Sequence, residues 1–283
     1  MKVSIVLGSY NRKAFLKSTI KSVRENKISY DYEIIVIDGG SDDGSLEWLL
    51  KQKDIITIIQ YNRGTFQGKE IKRKSWGYFM NLGFKCAKGE YILMISDDCL
   101  ILPDSINKGI FHFDDLRNKN RKVGALAFYW RNWPEQKEYM IGLTFNKIFV
   151  NHGLYLKSAL EEISYIDEEY YVFYHADGDL CLRLYEKGYE VLATENSYIE
   201  HYSHANLKVK KSNFLLQNED WNRYQLRWKK LIPPNSDLIL HKIDKIYIDK
   251  SKTYTTFPIM ERLKIHFNKK VNKYKKILKS PLK

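Results

Sequence analysis

The nine residues Tyr91-Ile92-Leu93-Met94-Ile95-Ser96-Asp97-Asp98-Cys99 constrain the fold more than any other stretch, because an unbroken apolar run leads straight into two adjacent carboxylates. Five apolar or aromatic residues in succession offer no polar face to water, so they predict a strand buried on both sides, as in a parallel sheet. The carboxyl end of such a strand is where open α/β sheets bind their ligands. Asp97 and Asp98 therefore read as a site, with a metal ion the natural partner for their charge. The competing reading is a solvated turn or a helix N-cap, which draws on the same residue types. The flanks favour a built site: Lys88-Gly89-Glu90 reads as a helix end with Gly at its C-cap, and Leu102-Pro103-Asp104-Ser105 as the start of the next helix.

The same pattern repeats upstream. Val3 to Leu7 is a short apolar run closed by Gly8-Ser9-Tyr10-Asn11-Arg12, and Phe15, Leu16, Thr19, Ile20 and Val23 share one face of the helix that follows. Glu33 to Asp38 is a second buried strand ending in a carboxylate, and Gly39-Gly40-Ser41-Asp42-Asp43-Gly44-Ser45 turns into a helix carrying Leu46, Trp48, Leu49 and Leu50. Ile55 to Tyr61 reads as a third strand, Asn62-Arg63-Gly64 opens a long basic loop, and Ser75 to Ala87 reads as helix. Strands and helices alternating at these spacings predict an α/β fold with a doubly wound, mostly parallel sheet. Neither Gly-rich turn gives G-x-G-x-x-G, and no Walker A pattern is present. What recurs is a carboxylate at a strand end, Asp38 and then Asp97 and Asp98. Such groups accept hydrogen bonds from a ribose or a base N–H and can hold a metal that in turn holds phosphates, which suits a nucleotide bound as its metal complex.

A chain of 283 residues can form one large domain with an appendage, expected here as a domain over 1–235, divided near residue 105, and an extension over 236–283. The three cysteines, Cys86, Cys99 and Cys181, have neither CxxC spacing nor an even count, which argues against a disulfide framework or a zinc site and for a reducing, cytoplasmic setting. Residues 1–7 are too short and too soon polar for a signal peptide, and no run approaches eighteen apolar residues. The net charge of +13 is uneven: Lys242 to Lys283 carries thirteen Lys and Arg against three acids. A nucleic-acid partner would call for a basic stripe across the folded domain, and the sequence has a basic tail instead. In that tail Ile259, Leu263, Phe267, Val271, Tyr274 and Leu278 fall three or four residues apart, with eight Lys and Arg from Arg262 to Lys279 around them. A helix docked on the domain would show this pattern, and so would an interfacial helix on an anionic membrane surface. The second is the expectation here, making the chain a peripheral protein of the cytoplasmic face of the inner membrane.

The motifs taken in order resemble the family 2 glycosyltransferases with the GT-A fold. The likeness runs through Val3-Ser4-Ile5-Val6 with Tyr10-Asn11-Arg12, through Ile37 to Ser45, Asn81-Leu82-Gly83, Lys88 to Ile92 and Ser96-Asp97-Asp98, then to Ala176 to Arg183 with Gly188-Tyr189. It covers most of residues 1 to about 205, and its specificity lies in the number of motifs in one order.

The resemblance implies a single Rossmann-like domain with a nucleotide-sugar-binding half and an acceptor-binding half, and it implies roles. Asp38 falls on the base-binding aspartate, and Ser9, Tyr10 and Arg12 on the segment lining the nucleotide pocket. Asp97 and Asp98 fall on the DXD motif, with Asp97 toward the nucleotide and Asp98 on a divalent cation, Mn2+ or Mg2+; Ser96 stands where that motif has its first Asp. Asp177 falls on the aspartate that acts as general base, although Ala176 replaces the glutamate before it. Asp179 is the alternative base, or a structural carboxylate held by Arg183. His201 falls on the late histidine near the metal, with His204 as rival. Trp130 and Trp133 read either as sugar-stacking residues of the acceptor cleft or as core. The Thr65 to Met80 segment, longer than the family's turn and carrying Lys69, Lys72, Arg73 and Lys74, reads as a solvated loop or as a lid whose cations approach the diphosphate. The implied donor is a UDP-, GDP- or dTDP-sugar and the implied acceptor a glycan or a lipid-linked hydroxyl. One carboxylate base without a carboxylate nucleophile implies a single displacement with inversion. A catalytically silent sugar-nucleotide-binding scaffold and a nucleotidyltransferase remain as alternatives.

Overall fold

The computed structural model describes residues 1–202, 216–231, 243–247 and 257–267. His204, the rival of His201, lies outside the described residues, as does the tail beyond residue 267. In chain order the elements are β1 (Val3–Ser9), α1 (Lys13–Glu25), β2 (Tyr32–Asp38), α2 (Ser45–Leu49), β3 (Ile55–Ile59), β4 (Thr65–Phe66), β5 (Lys69–Glu70), α3 (Trp76–Cys86), β6 (Tyr91–Met94), β7 (Cys99–Ile101), α4 (Ser105–Asn118) and β8 (Val123–Asn132). There follow β9 (Glu138–Thr144), β10 (Lys147–Phe149), β11 (Gly153–Leu156), α5 (Lys157–Glu162), α6 (Ala176–Glu186), β12 (Glu190–His201), α7 (Gln217–Arg227) and β13 (Ile243–Tyr247). A last helix, α8, spans 259–267.

The main sheet runs β10-β9-β8-β11-β6-β1-β2-β3, with β12 on β8 and β7, and β13 on β9. The strands β6, β1, β2 and β3 are parallel neighbours, as the alternation of strands and helices predicts. Val3, Ile5, Val6 and Leu7, then Ile34 to Ile37, and Tyr91 to Leu93 are fully buried between the helix layers. Beyond β6 the sheet becomes mixed: β11 is antiparallel to both β6 and β8, and β12 is parallel to β8 but antiparallel to β7. The α/β, GT-A-like architecture stands, with its parallel part confined to the first half of the chain.

Two local readings change. The apolar run into the carboxylates is two strands: β6 stops at Met94, and Cys99 begins β7, which pairs with the end of β12 rather than extending β6. Gly89 is not a C-cap, because α3 closes at Cys86 with Ala87 extended. It is required by close approach, since a Cβ there would stand 2.4 Å from the Ser4 backbone nitrogen. The Asp104 start of α4 holds, with Asp104 itself in the left-handed region at φ 64°.

The 259–267 helix docks by one side. Phe257 is buried against Phe15, Trp133 and Tyr202, and the Arg262 guanidinium lies 4.2 Å over the Trp133 ring. Its other side exposes Ile259, Met260, Leu263 and Phe267. Among the described residues no helix is long and apolar enough to cross a membrane.

Candidate active site

The sheet register assembles the site. Ser9 pairs with Asp38 and Val6 with Met94, so the chain past Met94 emerges beside the Ser9 to Arg12 turn. The β7–β12 pairing sets His201 opposite Cys99, next in chain to Asp98, and the β8–β12 pairing sets Asn132 beside His201. A cavity of about 430 Å3 opens at this edge, and Ser9, Tyr10, Arg12, Asp97, Asp98, Asp177 and His201 all line it.

Its charged floor is bound together by Arg12. One guanidinium nitrogen, Nη1, donates to Asp97 Oδ1 at 2.7 Å and to Asp98 Oδ2 at 2.9 Å, and the Ser9 hydroxyl donates to Asp97 Oδ2 at 2.8 Å. Burial disfavours the charged form of a carboxyl, while a close cation favours it. Burial, helped by the adjacent Asp98 charge, pushes Asp97 up to about 6 against the pull of Arg12. Burial acts the same way on Asp98, but Arg12 and His201 outweigh it and hold that carboxyl below the usual range. His152, buried behind His201, is pushed down to about 3 by burial and by His201, so it is neutral and packs against Cys99 Sγ at 3.6 Å.

The residues present fit a divalent cation. Asp98 Oδ1 is buried with no hydrogen-bond partner and lies 3.4 Å from His201 Nε2. Asn132 Oδ1, 3.1 Å from His201 Nδ1, can accept a proton held on that nitrogen, so His201 faces Asp98 through Nε2–H when charged and through the Nε2 lone pair when neutral. Two such groups facing each other call for a proton or a cation between them. Among the described residues no three His, Cys, Asp or Glu converge to hold an ion. The described residues thus offer two ligands, a number typical of Mg2+-type sites completed by phosphate oxygens and water.

Three of the expected site residues are placed elsewhere. Asp38 is fully buried behind the cavity, its Oδ1 accepting from the Gly40 and Ser41 backbone N–H groups and its Oδ2 from the Ser41 hydroxyl. Both oxygens are engaged by its own turn, so the carboxylate expected to contact the base shapes the Gly39–Ser41 wall and is not itself among the residues lining the cavity. Trp130 packs edge-on against His152 and His201, and Trp133 lies against Phe257 before the 259–267 helix; both are part-buried, and neither lines this cavity.

The two acidic residues at the start of α6 separate cleanly. Asp179 is fully buried and accepts from Arg183 Nε at 2.8 Å, Trp228 Nε1 at 3.0 Å and the Tyr171 hydroxyl at 3.2 Å, a structural hub. Asp177, two residues earlier, lines the cavity. The loop before it is set by Asp220 of α7, a residue with no sequence signal. Its buried carboxylate accepts the backbone N–H groups of Val172, Phe173 and Tyr174, each at 2.8 Å. Phe173, Tyr174 and His175 thereby line the cavity, as do Asn151, Asn62, Arg63, Arg73 and Lys74. Of these, Arg73 and Lys74 belong to the Thr65 to Met80 segment whose lid reading brings cations toward the diphosphate, and Arg63 to the turn that opens it.

Comparison with known proteins agrees with this geometry. Glycosyl transferase family 2, as a sequence family, matches residues 4–178. An uncharacterized glycosyltransferase of Bacillus subtilis, YfnE, is 29% identical over 155 residues, which are 51% of this chain and 36% of that protein. The chain thus spans well under half the length of that relative. Among solved structures, S. aureus TarS 1–349 in complex with UDP superposes with a TM-score of 0.54 at 15% identity, over 72% of this chain and 62% of that one. The mannosyltransferase PcManGT of Pyrobaculum calidifontis, in complex with GDP-Man and Mn2+, gives 0.51 at 15% identity, over 71% and 56%. At such identity these likenesses speak for the fold, and the family match carries the assignment: with well over half of the chain inside it, this protein belongs to glycosyl transferase family 2.

Proposed function

We propose that the chain transfers a glycosyl group from a UDP-, GDP- or dTDP-sugar to a hydroxyl of a glycan or lipid-linked acceptor, with inversion at the anomeric carbon and with Mn2+ or Mg2+ bound. The observation that carries this reading is the meeting, in one cavity, of Asp177 from the acceptor half with Ser9, Arg12, Asp97 and Asp98 from the nucleotide half. TarS with UDP and PcManGT with GDP-Man and Mn2+ support the donor class and the ion.

In the proposed reaction the acceptor oxygen attacks the anomeric carbon, its proton passes to the Asp177 carboxylate, and the bond from that carbon to the phosphate oxygen breaks. The leaving electron pair stays on the nucleoside diphosphate. A hydroxyl is a poor nucleophile until its proton is accepted, and one base on one carboxylate suits a single displacement. Arg12 holds Asp97 and Asp98 in place, and Asp98 with His201 would hold the cation. When bound, such an ion stabilises charge on the departing diphosphate as a Lewis acid. Tyr10 and the wall shaped by Asp38 would take the nucleoside.

The exposed apolar side of the 259–267 helix, followed in sequence by a run rich in Lys, supports a seat on an anionic membrane surface, where a lipid-linked acceptor would be found. The test of the reaction is Asp177→Asn. General-base catalysis contributes about 10^2 to 10^4-fold, so transfer should fall by that order while binding of the nucleotide is retained. Unchanged turnover would remove Asp177 from the role, and release of pyrophosphate from a nucleoside triphosphate would point to a nucleotidyltransferase.

A further inference from the structure

The excursion between β3 and α3 is built, not loose. Asn62 staples its ends, its Oδ1 accepting the Lys74 backbone N–H at 2.6 Å and its Nδ2 donating to the Lys74 carbonyl at 3.3 Å. Between them the β4–β5 hairpin is closed by Ile71 N–H donating to the Gly64 carbonyl at 2.9 Å. The fold then sorts the basic residues of this segment. Lys69 and Lys72 are exposed and do not line the cavity, whereas Arg63, Arg73 and Lys74 line the same cavity as Asp97, Asp98 and Asp177.

The anchoring of these three groups shows how the excursion spans the site. Arg63 lies 5.6 Å over the ring of Tyr10, on the nucleotide side. Arg73 lies 5.9 Å over the ring of Phe173, in the loop that Asp220 fixes on the acceptor side. Lys74 Nζ lies 5.2 Å over the ring of Tyr78. Aromatic faces hold cations in place without neutralising them. The guanidiniums also crowd one another: burial and Arg63 push Arg73 down to about 10, although Asp220 and Tyr174 draw it the other way. Burial likewise lowers Arg63, with Arg12 adding to the effect and Tyr10 opposing it. Arg12 itself is already shared between Asp97 and Asp98. A polyanion entering here relieves the repulsion and gains charge-assisted hydrogen bonds from planar guanidiniums, which suit phosphate oxygens.

We propose that Arg63, Arg73 and Lys74 form a diphosphate-binding wall, supplied by the β4–β5 excursion, against which both phosphates of the sugar donor rest. The inference deepens the proposed function and takes the donor's identity from it.

The wall is tested without any sugar, by calorimetric titration of the 283-residue chain with inorganic pyrophosphate in the presence of a chelator, so that no divalent cation contributes. Saturable binding is expected, weakened about tenfold or more by Arg73→Ala and further by Arg73→Ala with Lys74→Ala, and less affected by Arg73→Lys, which keeps the charge. Lys69→Ala and Lys72→Ala should leave it unchanged, and melting scans show whether each variant is folded. UDP or GDP should displace the pyrophosphate. Equal pyrophosphate affinity in the wild type and the double variant, or no binding in chelator, overturns the proposal. Displacement by farnesyl diphosphate in preference to UDP and GDP overturns the donor assignment by giving the wall to a lipid-linked acceptor. A protein that binds pyrophosphate through these residues yet transfers no sugar leaves the wall standing and overturns the proposed reaction.

Discussion

Arg12 sets the charge of the cavity floor: one part-buried cation serves two carboxylates through a single nitrogen. Two anions against one cation leave room for a second positive charge, and the unpartnered Asp98 Oδ1 facing His201 Nε2 is where it would sit. With Ser96 in place of a third carboxylate the site carries less negative charge, which makes the two remaining ligands count for more. Asp98→Ala removes one of them while Asp97 keeps Arg12 and Ser9 in place. Manganese-dependent affinity for UDP or GDP should therefore fall at least about tenfold, on the scale by which even outer-shell changes weaken metal sites. The chelator-insensitive part of nucleotide binding should persist. Titrations with and without Mn2+ check this, and an unchanged manganese-dependent gain would place the ion elsewhere.

At the scale of elements, α7 positions the Val172 to Tyr174 side of the cavity through one carboxylate. Asp220 satisfies three consecutive backbone donors, and each buried donor left without a partner costs about 1–3 kcal/mol. Asp220→Asn puts an amide NH2 where an acceptor is needed. It should lower stability to urea by roughly that amount and reduce kcat, and, because Arg73 stacks on Phe173 in this loop, it should weaken nucleotide binding as well, but by a smaller factor than it lowers turnover. A variant that loses nucleotide binding in step with turnover would show only a general structural defect. The same contrast explains what the sequence could reveal. The strands β1, β2 and β6 were legible because burial on both faces leaves an unbroken apolar run, and the carboxylates at their ends were legible because they interrupt it. Whether such a carboxylate faces a ligand or its own turn leaves no mark in the pattern, so Asp38 read like Asp97. The β9 to β11 region was not legible, since short antiparallel strands joined by turns such as Phe145-Asn146, both at positive φ, carry no long periodicity. Asp220 was hidden for a simpler reason: its partners are backbone N–H groups more than forty residues away.

On the scale of the whole molecule, the 259–267 helix has a docked side and an exposed apolar side. Phe257 and Arg262 close the small aromatic cluster of Phe15, Trp133 and Tyr202, so cutting the chain before this helix would uncover buried rings and confuse any binding measurement. The outer face is open to substitution, since Leu263 and Phe267 are 58% and 67% exposed. Entering a headgroup boundary would bury these side chains for about 1.5–3 kcal/mol each, and each nearby Lys or Arg adds about 1 kcal/mol on an anionic leaflet. Leu263→Glu with Phe267→Glu reverses both contributions without touching the docked side. The wild-type chain should float with vesicles containing phosphatidylglycerol, not with neutral phosphatidylcholine vesicles, and should be released by high salt as charges are screened. The double variant should remain unfloated while keeping its melting temperature and its nucleotide affinity. Equal flotation of the two proteins, or none by either, would mean that this face is not what holds the enzyme at a membrane.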